Sequence, residues 1–299
     1  MGESLALGVD IGGTKIAAAL INQKGKIFHR KEFPSNIETK ETLFQTVLQA
    51  IYSVLAASQL NIKELNGIGV GVPGKIDVES GIAVMQNNIP WNNFPLVERL
   101  KAELGVDLKI VINNDVKMAA YAEYCQTKIV HGNLFTYITL STGIAATSIL
   151  KNEIIDGCGF SGEIGFIPIK TDNGYISVEN LASGPAIQSF AQKLLNNNQL
   201  TTKDVFELYL SGNEEAEKAI KRSIKAMSHA VYSIICILDP KKIVLGGSVA
   251  FHNPFYLDLL LVELDKFLVD EQKHILKSIS ISTLGGNNGV IGAGLSIFS

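Results

Sequence analysis

The stretch LGVDIGGTKIAAALINQKGKI, Leu7–Ile27, places a polar turn between two apolar runs near the start of the chain. An ordinary hairpin turn needs a single glycine or an Asn-Gly pair. This turn instead contains Asp10, Gly12, Gly13, Thr14 and Lys15. One interpretation is a hairpin with extra turn residues. The other is an unobstructed backbone that binds phosphate, with Asp10 holding Mg²⁺ through water and Lys15 adding a positive charge.

Apolar periodicity on either side of this turn predicts an α/β first half. The predicted strands are 5–9, 16–22, 26–33, 65–77 and 108–115. Helical spacing covers 40–58, and a second helix follows the last strand to about residue 127. The strand at 65–77, LNGIGVGVPGKID, is expected to leave the sheet through a Gly/Pro-rich loop.

The same order of elements begins again in the second half of the chain. YITLSTGIAATSILKNEII, 137–155, is similar to the opening hairpin and places Ser141 and Thr142 where the first hairpin has Thr14. A helix at about 214–237 precedes KKIVLGGSVA, 241–250, which matches the earlier strand and glycine loop. We therefore expect two duplicated lobes across a cleft, whose glycine turns hold a polyphosphate from both sides.

Composition and charge argue against several classes of function. A chain of 299 residues is long enough for two domains, and a net charge of -3 without a basic block argues against a nucleic-acid surface. No apolar run approaches the roughly 18–20 residues that span a membrane. The acidic start of the chain is unlike a signal peptide, which favours a cytoplasmic location. Cys125, Cys158 and Cys236 are widely spaced and indicate no zinc cluster.

Other nucleotide-binding signatures are absent or incomplete. GVGVPG, 69–74, satisfies G-x-G-x-x-G literally, but the residues after it predict a turn, whereas the dinucleotide fingerprint requires a helix. No G-x-x-x-x-G-K-[ST] motif occurs in the chain. These patterns exclude a dinucleotide-binding fold of that type and a P-loop protein.

Polar residues at strand ends indicate where an acceptor substrate binds. Asp115 ends a buried strand and begins a helix, so it is either a catalytic base or a helix cap. Asn113 and Asn114 beside it favour a site, because a cap needs only one polar side chain. Further candidates for binding sugar hydroxyls are Asn87, Asn88, Glu163 and Glu179, although a lone glutamate is more often a surface residue.

An ordered series of motifs resembles the ROK family of sugar kinases, within the actin/hexokinase-like superfamily. The motifs are DIGGTK, GVPG, NNIPW, NND, STGIA, GEIG, VENLASGPAI and VLGGS, and the resemblance covers essentially the whole chain. It implies an α/β fold of two duplicated actin/hexokinase-like (ribonuclease H-like) lobes, which we place at 1–116 and 117–299, with the last helix able to pack back on the first lobe. It also implies ATP- and Mg²⁺-dependent phosphorylation of the 6-hydroxyl of a glucose-type sugar by a cytoplasmic homodimer.

The resemblance also implies residue roles. Asp115 is the expected catalytic base. The expected sugar-binding residues are Asn88, Asn114, Glu163 and Glu179. The phosphates of Mg·ATP are expected at Asp10, Gly12, Gly13, Thr14, Lys15, Thr142 and Gly143, and the nucleoside near Gly246 and Gly247.

Three departures from the family pattern bear on the acceptor and on zinc. Phe166 replaces the histidine of GEIGH, IKTDNGYIS replaces the zinc cysteines, and Lys117 replaces an asparagine. We therefore expect no structural zinc. Phe166 either fills the volume of the missing metal site or forms an aromatic wall for a second sugar ring or an aglycone. The wall favours a β-glucoside such as cellobiose, while glucose and N-acetylmannosamine remain open as acceptors.

Two other classes of function are alternatives to a kinase. Sugar-responsive repressors of this family carry a DNA-binding helix-turn-helix segment in front, and here the phosphate turn begins by residue 10, so no such segment is expected. A non-catalytic sugar sensor would tolerate the loss of Asp10 and Asp115, and both are present.

Overall fold

The computed structural model of the chain describes residues 3–86, 88–127, 129, 132–172 and 174–299, and Asn87 falls outside them. The strands are β1 Leu5–Ile11, β2 Lys15–Asn22, β3 Ile27–Pro34, β4 Ile68–Val72, β5 Lys75–Asp77, β6 Ile82–Met85, β7 Asn92–Phe94, β8 Ile110–Asn114, β9 Phe135–Leu140, β10 Ile144–Leu150, β11 Glu153–Ile154, β12 Pro168–Thr171, β13 Gly174–Ser177, β14 Lys242–Gly246 and β15 Ile279–Ile281.

The α-helices are α1 Lys40–Ser58, α2 Leu96–Leu104, α3 Asp115–Thr127, α4 Val178–Ala182, α5 Gly184–Leu195, α6 Thr202–Leu210, α7 Glu214–Leu238, α8 Ser248–His252, α9 Phe255–Asp265 and α10 Asn288–Leu295. Short 3-10 helices occupy Ile62–Glu64, Ile164–Phe166, Asp270–Ser278 and Gly285–Asn287. Within the described part of the chain, no helix is both long enough and apolar enough to cross a membrane.

Contacts divide the chain into two compact units. The first joins Met1–Lys128 to Gly286–Ser299, and the second is Ile129–Gly285. The division predicted from the sequence falls after residue 116, whereas the contacts place the whole of α3 in the first unit. The reason is the packing of α3 on α10: a Cβ added to Gly292 would lie 1.7 Å from the Met118 carbonyl oxygen.

The two units share one sheet topology. The first sheet has the order β3-β2-β1-β4-β8 and the second the order β11-β10-β9-β14-β15. In both, the first strand pairs antiparallel with the second strand of its hairpin and parallel with a later strand that follows a helix. The predicted α/β fold with duplicated halves is confirmed, because both sheets are built from the same meander and parallel extension.

Helix α1 covers one face of the first sheet because its apolar residues recur at helical spacing. Leu43, Val47 and Val54 are fully buried, and Thr39 and Thr42 form a capping box at its start. The core of this unit also contains Trp91 of the NNIPW motif, whose indole nitrogen donates to the Lys40 carbonyl oxygen at 3.0 Å. This motif therefore has a structural role in the core.

Helix α10 covers the opposite face through backbone contact. A Cβ on Gly8 of β1 would lie 2.1 Å from the Val290 carbonyl oxygen, and one on Gly69 of β4 would lie 1.7 Å from that of Ala293. Glycine is needed at both positions because the helix lies directly on the strands. This close approach brings the start of α10 to the ends of β1 and β4, where the candidate site lies.

Candidate active site

The polar turn after β1 is held by backbone and hydroxyl hydrogen bonds. The Gly12 N–H donates to the Lys15 carbonyl at 2.9 Å, and the Ser35 hydroxyl donates to the Gly12 carbonyl at 2.6 Å. The Thr14 side chain is exposed at the tip. A Cβ on Gly13 would lie 3.1 Å from the carbonyl oxygen of Asn88, so the structure brings this predicted sugar residue next to the turn.

Two carboxylates flank the end of the central strand β4. A Cβ placed on Gly71 would lie 3.4 Å from Asp10 Oδ1 and 3.5 Å from the Asp115 Cα. Burial, and then the charge of Asp115, raise the pKa of Asp10 to about 7, while Lys15 and Arg30 act in the opposite direction. The two predicted acidic residues therefore lie close enough to interact electrostatically.

The start of α10 is a part of this site that the sequence analysis did not identify. A Cβ on Gly289 would lie 2.4 Å from Asp10 Oδ2, so any larger residue would displace the carboxylate. The signal was present in GGNNGVIGAG, 285–294, where small residues recur along a predicted helix. Such a stripe is typical of close helix packing, and only the structure shows which carboxylate it contacts.

Lys15 forms an ion pair within its own unit. Its ammonium lies 2.5 Å from Glu32 Oε1 on β3, and Arg30 donates to the other oxygen of the same carboxylate at 2.9 Å. The hydrogen bonds from Arg30 and Lys15 lower the pKa of Glu32 to about 2. A phosphate bound by Lys15 would share that ammonium with Glu32.

The helix cap next to Asp115 is provided chiefly by Asn114. The Asn114 Oδ1 accepts from the Val116 N–H at 2.9 Å and from the Lys117 N–H at 3.3 Å, while its Nδ2 donates to the Gly74 carbonyl at 2.9 Å. Asp115 Oδ1 also accepts from the Val116 N–H at 2.9 Å. Asn114 thus links α3 to the loop after β4 and fixes the backbone that carries Asp115.

The second glycine turn, between β9 and β10, occupies the same place in its sheet, but it is one residue shorter than the first and has different partners. The Ser141 N–H donates to the Gly143 carbonyl at 3.0 Å, and the Gly184 N–H at the start of α5 donates to the Ser141 carbonyl at 2.8 Å. The Ser141 and Ser248 hydroxyls are 2.8 Å apart, and Thr142 is exposed at the tip. This turn is therefore tied to the starts of two helices.

Glu179 lies directly beside the second turn. Its Oε2 accepts from the Ile144 N–H at 2.9 Å, and a Cβ on Gly143 would lie 2.9 Å from the same oxygen. Glu163 is exposed, at the start of the 3-10 helix that includes Gly165. A Cβ on Gly165 would lie 3.2 Å from Glu179 Oε2, so the GEIG and VENL motifs meet at this carboxylate.

Phe166 projects from the protein surface, with 66% of its area exposed. It does not fill the volume of a missing metal site, because a residue that did so would be buried. The segment that replaces the family's zinc cysteines is the hairpin β12–β13, in which Tyr175 is 72% exposed. Among the described residues, no group of three or more His, Cys, Asp or Glu side chains could hold a metal ion.

Gly246 and Gly247 end β14 against strand β9. A Cβ on Gly246 would lie 2.2 Å from the Tyr137 hydroxyl, and one on Gly247, whose φ is 84°, would lie 2.4 Å from the Leu140 carbonyl oxygen. A cavity of about 630 Å³ opens beside this turn. Its lining includes Thr202, Phe206, Ser248, Val249 and His252. Its apolar and hydroxyl surfaces suit a nucleoside.

The residues present fit Mg²⁺ and nucleotide phosphates. A carboxylate is an oxygen ligand of the kind that Mg²⁺ prefers, and Asp10 supplies one beside a glycine turn. Gly13 and Gly143 each lie where a Cβ would meet a neighbouring atom at 3.1 Å or less, so both turns need a backbone without side chains. Exposed hydroxyls at Thr14 and Thr142 add donors at the two tips.

Comparison with known proteins gives one consistent family. The model of the ROK family matches residues 6–297. The chain is 27% identical to a glucokinase of Halalkalibacterium halodurans, covering 98% of this chain and 95% of the relative. It is 31% identical to an N-acetylmannosamine kinase of Haemophilus influenzae, covering 96% and 93%. The crystal structure of a ROK hexokinase from Thermus thermophilus matches with a TM-score of 0.81, at 26% identity over 98% of each chain.

Proposed function

This chain belongs to the ROK family, and we propose that it is a sugar kinase that transfers the γ-phosphate of ATP to the 6-hydroxyl of a glucose-type sugar. The observation that carries the proposal is the pair Asp10 and Asp115 at the end of the first sheet, beside a glycine turn. Phosphoryl transfer depends on positioning and on charge stabilisation, and this arrangement supplies a base and a phosphate-binding backbone together.

The candidate residues have different parts in the proposed reaction. Asp115 accepts the proton of the attacking hydroxyl, and Asn114 holds the start of α3 so that the carboxylate is positioned. In the first unit, the proposed sugar-binding side chains are Asn88 and Asn114, and the glycine turn after β1 is a proposed phosphate-binding backbone. In the second unit, the proposed sugar-binding side chains are Glu163 and Glu179, and the glycine turn after β9 is a proposed phosphate-binding backbone as well. Mg²⁺, held by Asp10 through water, would neutralise phosphate charge when bound.

The choice of acceptor has two sources of support that point to different sugars. The named relatives are a glucokinase and an N-acetylmannosamine kinase, which supports glucose and N-acetylmannosamine as acceptors. The exposed ring of Phe166 supports a β-glucoside such as cellobiose, because an exposed aromatic face can stack on the apolar face of a second ring. We propose the β-glucoside, with the two monosaccharides as the alternatives.

A coupled ADP-release assay with glucose, cellobiose, methyl β-glucoside and N-acetylmannosamine tests this choice. The β-glucosides are expected to show kcat/KM at least equal to that of glucose. Phe166→Ala should lower kcat/KM for cellobiose and leave that for glucose unchanged, because only the second ring loses its partner. Tyr175→Ala removes a similarly exposed ring and serves as the matched control. Turnover of a monosaccharide without turnover of either glucoside would contradict the β-glucoside proposal and retain the kinase.

A non-catalytic sugar-sensing regulator is the alternative from another class. It predicts sugar binding without ADP release for any member of the panel. The homodimer, the cytoplasmic location and the absence of structural zinc remain predictions, which sedimentation, fractionation and elemental analysis would test.

A further inference from the structure

A second groove of the Ile129–Gly285 unit lies outside the candidate active site. It is a cavity of about 660 Å³ between β12 and the long helix α7, within the size range of about 300–1,000 Å³ usual for small-molecule sites. Its floor is apolar and includes Ile169, Leu181 and Phe190. An apolar floor can receive the face of a ring.

The rim of this groove is basic. Its cationic residues are Lys170, Lys218, Lys221, Arg222 and Lys225. The four on α7 are spaced by three, one and three residues, so they project on one side of the helix. Two of them are neutralised locally, because Lys218 lies 2.6 Å from Glu215 and Lys221 lies 2.7 Å from Glu217.

The other three cations of the rim have no such neutralisation. Within the ranges that the structure describes, no carboxylate forms an ion pair with Lys170, Arg222 or Lys225. They come from two separate elements, β12 and α7, that line the same groove. Three uncompensated positive charges around one cavity favour an anionic ligand.

Arg222 is held in position before any ligand arrives. Its guanidinium carbon lies 4.3 Å from the centre of the Phe190 ring, and its Nη2 donates to the Asn180 carbonyl at 3.5 Å. Partial burial lowers the pKa of Arg222, and a guanidinium nevertheless stays charged at neutral pH. A fixed, partly buried guanidinium is the side chain best suited to a phosphate group.

We propose that this groove is a second ligand site, which binds the phosphate group of a sugar monophosphate between Lys170, Arg222 and Lys225, with the sugar ring on the apolar floor. This inference rests on the proposed function, since a sugar kinase releases a ligand of this chemical class. The groove is then a site of product feedback, separate from the glycine turns.

Arg222 also connects the groove to the candidate active site. Arg222 and Phe190 line a neighbouring cavity of about 410 Å³, whose lining includes Thr142 and Glu179. Asn180, whose carbonyl accepts from Arg222, follows Glu179 in helix α4. A phosphate bound by Arg222 competes with this carbonyl for the guanidinium N–H groups, so we expect occupation of the groove to weaken sugar binding and to raise the KM for sugar.

Calorimetry with an occupied active site tests the proposal. Glucose 6-phosphate is titrated into protein saturated with glucose, Mg²⁺ and a non-hydrolysable ATP analogue, and one further site is expected. The double variant Lys170→Gln/Lys225→Gln should lower the affinity of that site at least tenfold. Both lysines are exposed, so the fold should survive, and a thermal melt checks this. Lys277→Gln removes another exposed lysine of the same unit and should change nothing.

The outcomes separate this inference from the proposed function. Absence of a further site, affinity unaffected by the double variant, or equally tight binding of inorganic phosphate would overturn the sugar-phosphate site. In the ADP-release assay without added phosphate ester, the double variant should match the wild type. Failure of the wild type to release ADP with any sugar would instead overturn the proposed function, while the calorimetry still reports on the groove.

Discussion

The two glycine turns occupy the same place in their sheets and differ in length and in chemistry. Each connects the antiparallel hairpin of a five-stranded sheet with the same strand order. The first turn follows Asp10, whose pKa is raised to about 7 and which interacts with Asp115. The second follows Leu140 and is surrounded by the hydroxyls of Ser141 and Ser248, with the carboxylate of Glu179 fixed by the Ile144 N–H.

This difference indicates which properties both copies of the duplicated fold keep and which property only one copy has. Backbone N–H groups bind phosphate wherever the turn is free of side chains, so both copies can retain that ability. A base and a cation ligand need carboxylates close together, and such a pair occurs at the first turn. We therefore expect the base and the cation ligand at the first turn, and a phosphate-binding backbone at each turn.

The largest expected effect comes from removing divalent cations. EDTA should reduce turnover to background, because the phosphate charge near Asp10 is then uncompensated. Mg²⁺ alone should restore it, and elemental analysis should find no stoichiometric zinc, since Phe166 and the hairpin that follows it contain no histidine or cysteine. Restoration that required zinc, or one zinc per chain, would contradict the expected metal use.

The second-largest effect on turnover is expected from a substitution of Asp115. Asp115→Asn should lower kcat by about 10²–10⁴-fold with little change in stability, because the base is lost and the shape is kept. Asn114→Ala is the comparison for stability, since it removes the helix cap together with a proposed sugar contact and should lower the free energy of unfolding by about 1 kcal/mol. Steady-state kinetics measure the loss of the base, and thermal melts measure the loss of the helix cap. If Asp115→Asn turned over at nearly the wild-type rate, Asp115 would have only a structural role.

A smaller effect is expected from adding a methyl group to each turn. In Gly143→Ala the Cβ would lie 2.9 Å from Glu179 Oε2. This overpacking, at about 1–3 kcal/mol, should raise the KM for ATP and for sugar by about 5- to 140-fold. Gly13→Ala has its nearest contact at 3.1 Å and should have the smaller effect.

Gly286→Ala is the control for the added methyl group, because its Cβ would meet nothing within 4 Å. Equal KM changes for Gly286→Ala and Gly143→Ala would show that the contact with Glu179 is unimportant. A larger effect at Gly13 than at Gly143 would reverse the expected order of the two turns.

The smallest effect is expected at Ser141. Ser141→Ala removes one hydroxyl hydrogen bond to Ser248, worth about 0.5–1.5 kcal/mol, and should raise the KM for ATP by about 2- to 10-fold with kcat unchanged. The variant is compared with wild type by ATP titration at saturating sugar. A fall in kcat as large as that of Asp115→Asn would mean that the second turn takes part in the chemical step.

Local pattern was enough to predict several of the helices and strands. Helix α1 has the predicted bounds, 40–58, because its apolar residues recur at helical spacing and Thr39 caps it. The roles within the site were harder to predict. Asp115 was expected either to catalyse or to cap, and the hydrogen bonds show that Asn114 provides most of the cap. In a sequence, two adjacent polar residues at a helix start are equally good candidates for the cap. Only the path of the backbone decides which side chain reaches the free N–H groups.

The sequence by itself determined the α/β class, the repetition of one sheet topology and the positions of both glycine turns, because hydrophobic period and glycine content are local properties of the chain. Only the tertiary structure decided that Gly289 of α10 lies against Asp10, that Lys15 pairs with Glu32 and that Lys170 joins Arg222 at one groove. The first contact spans nearly the whole chain and depends on backbone-to-backbone packing at Gly8 and Gly69. Such packing is set by the fit of whole elements, which no local pattern records.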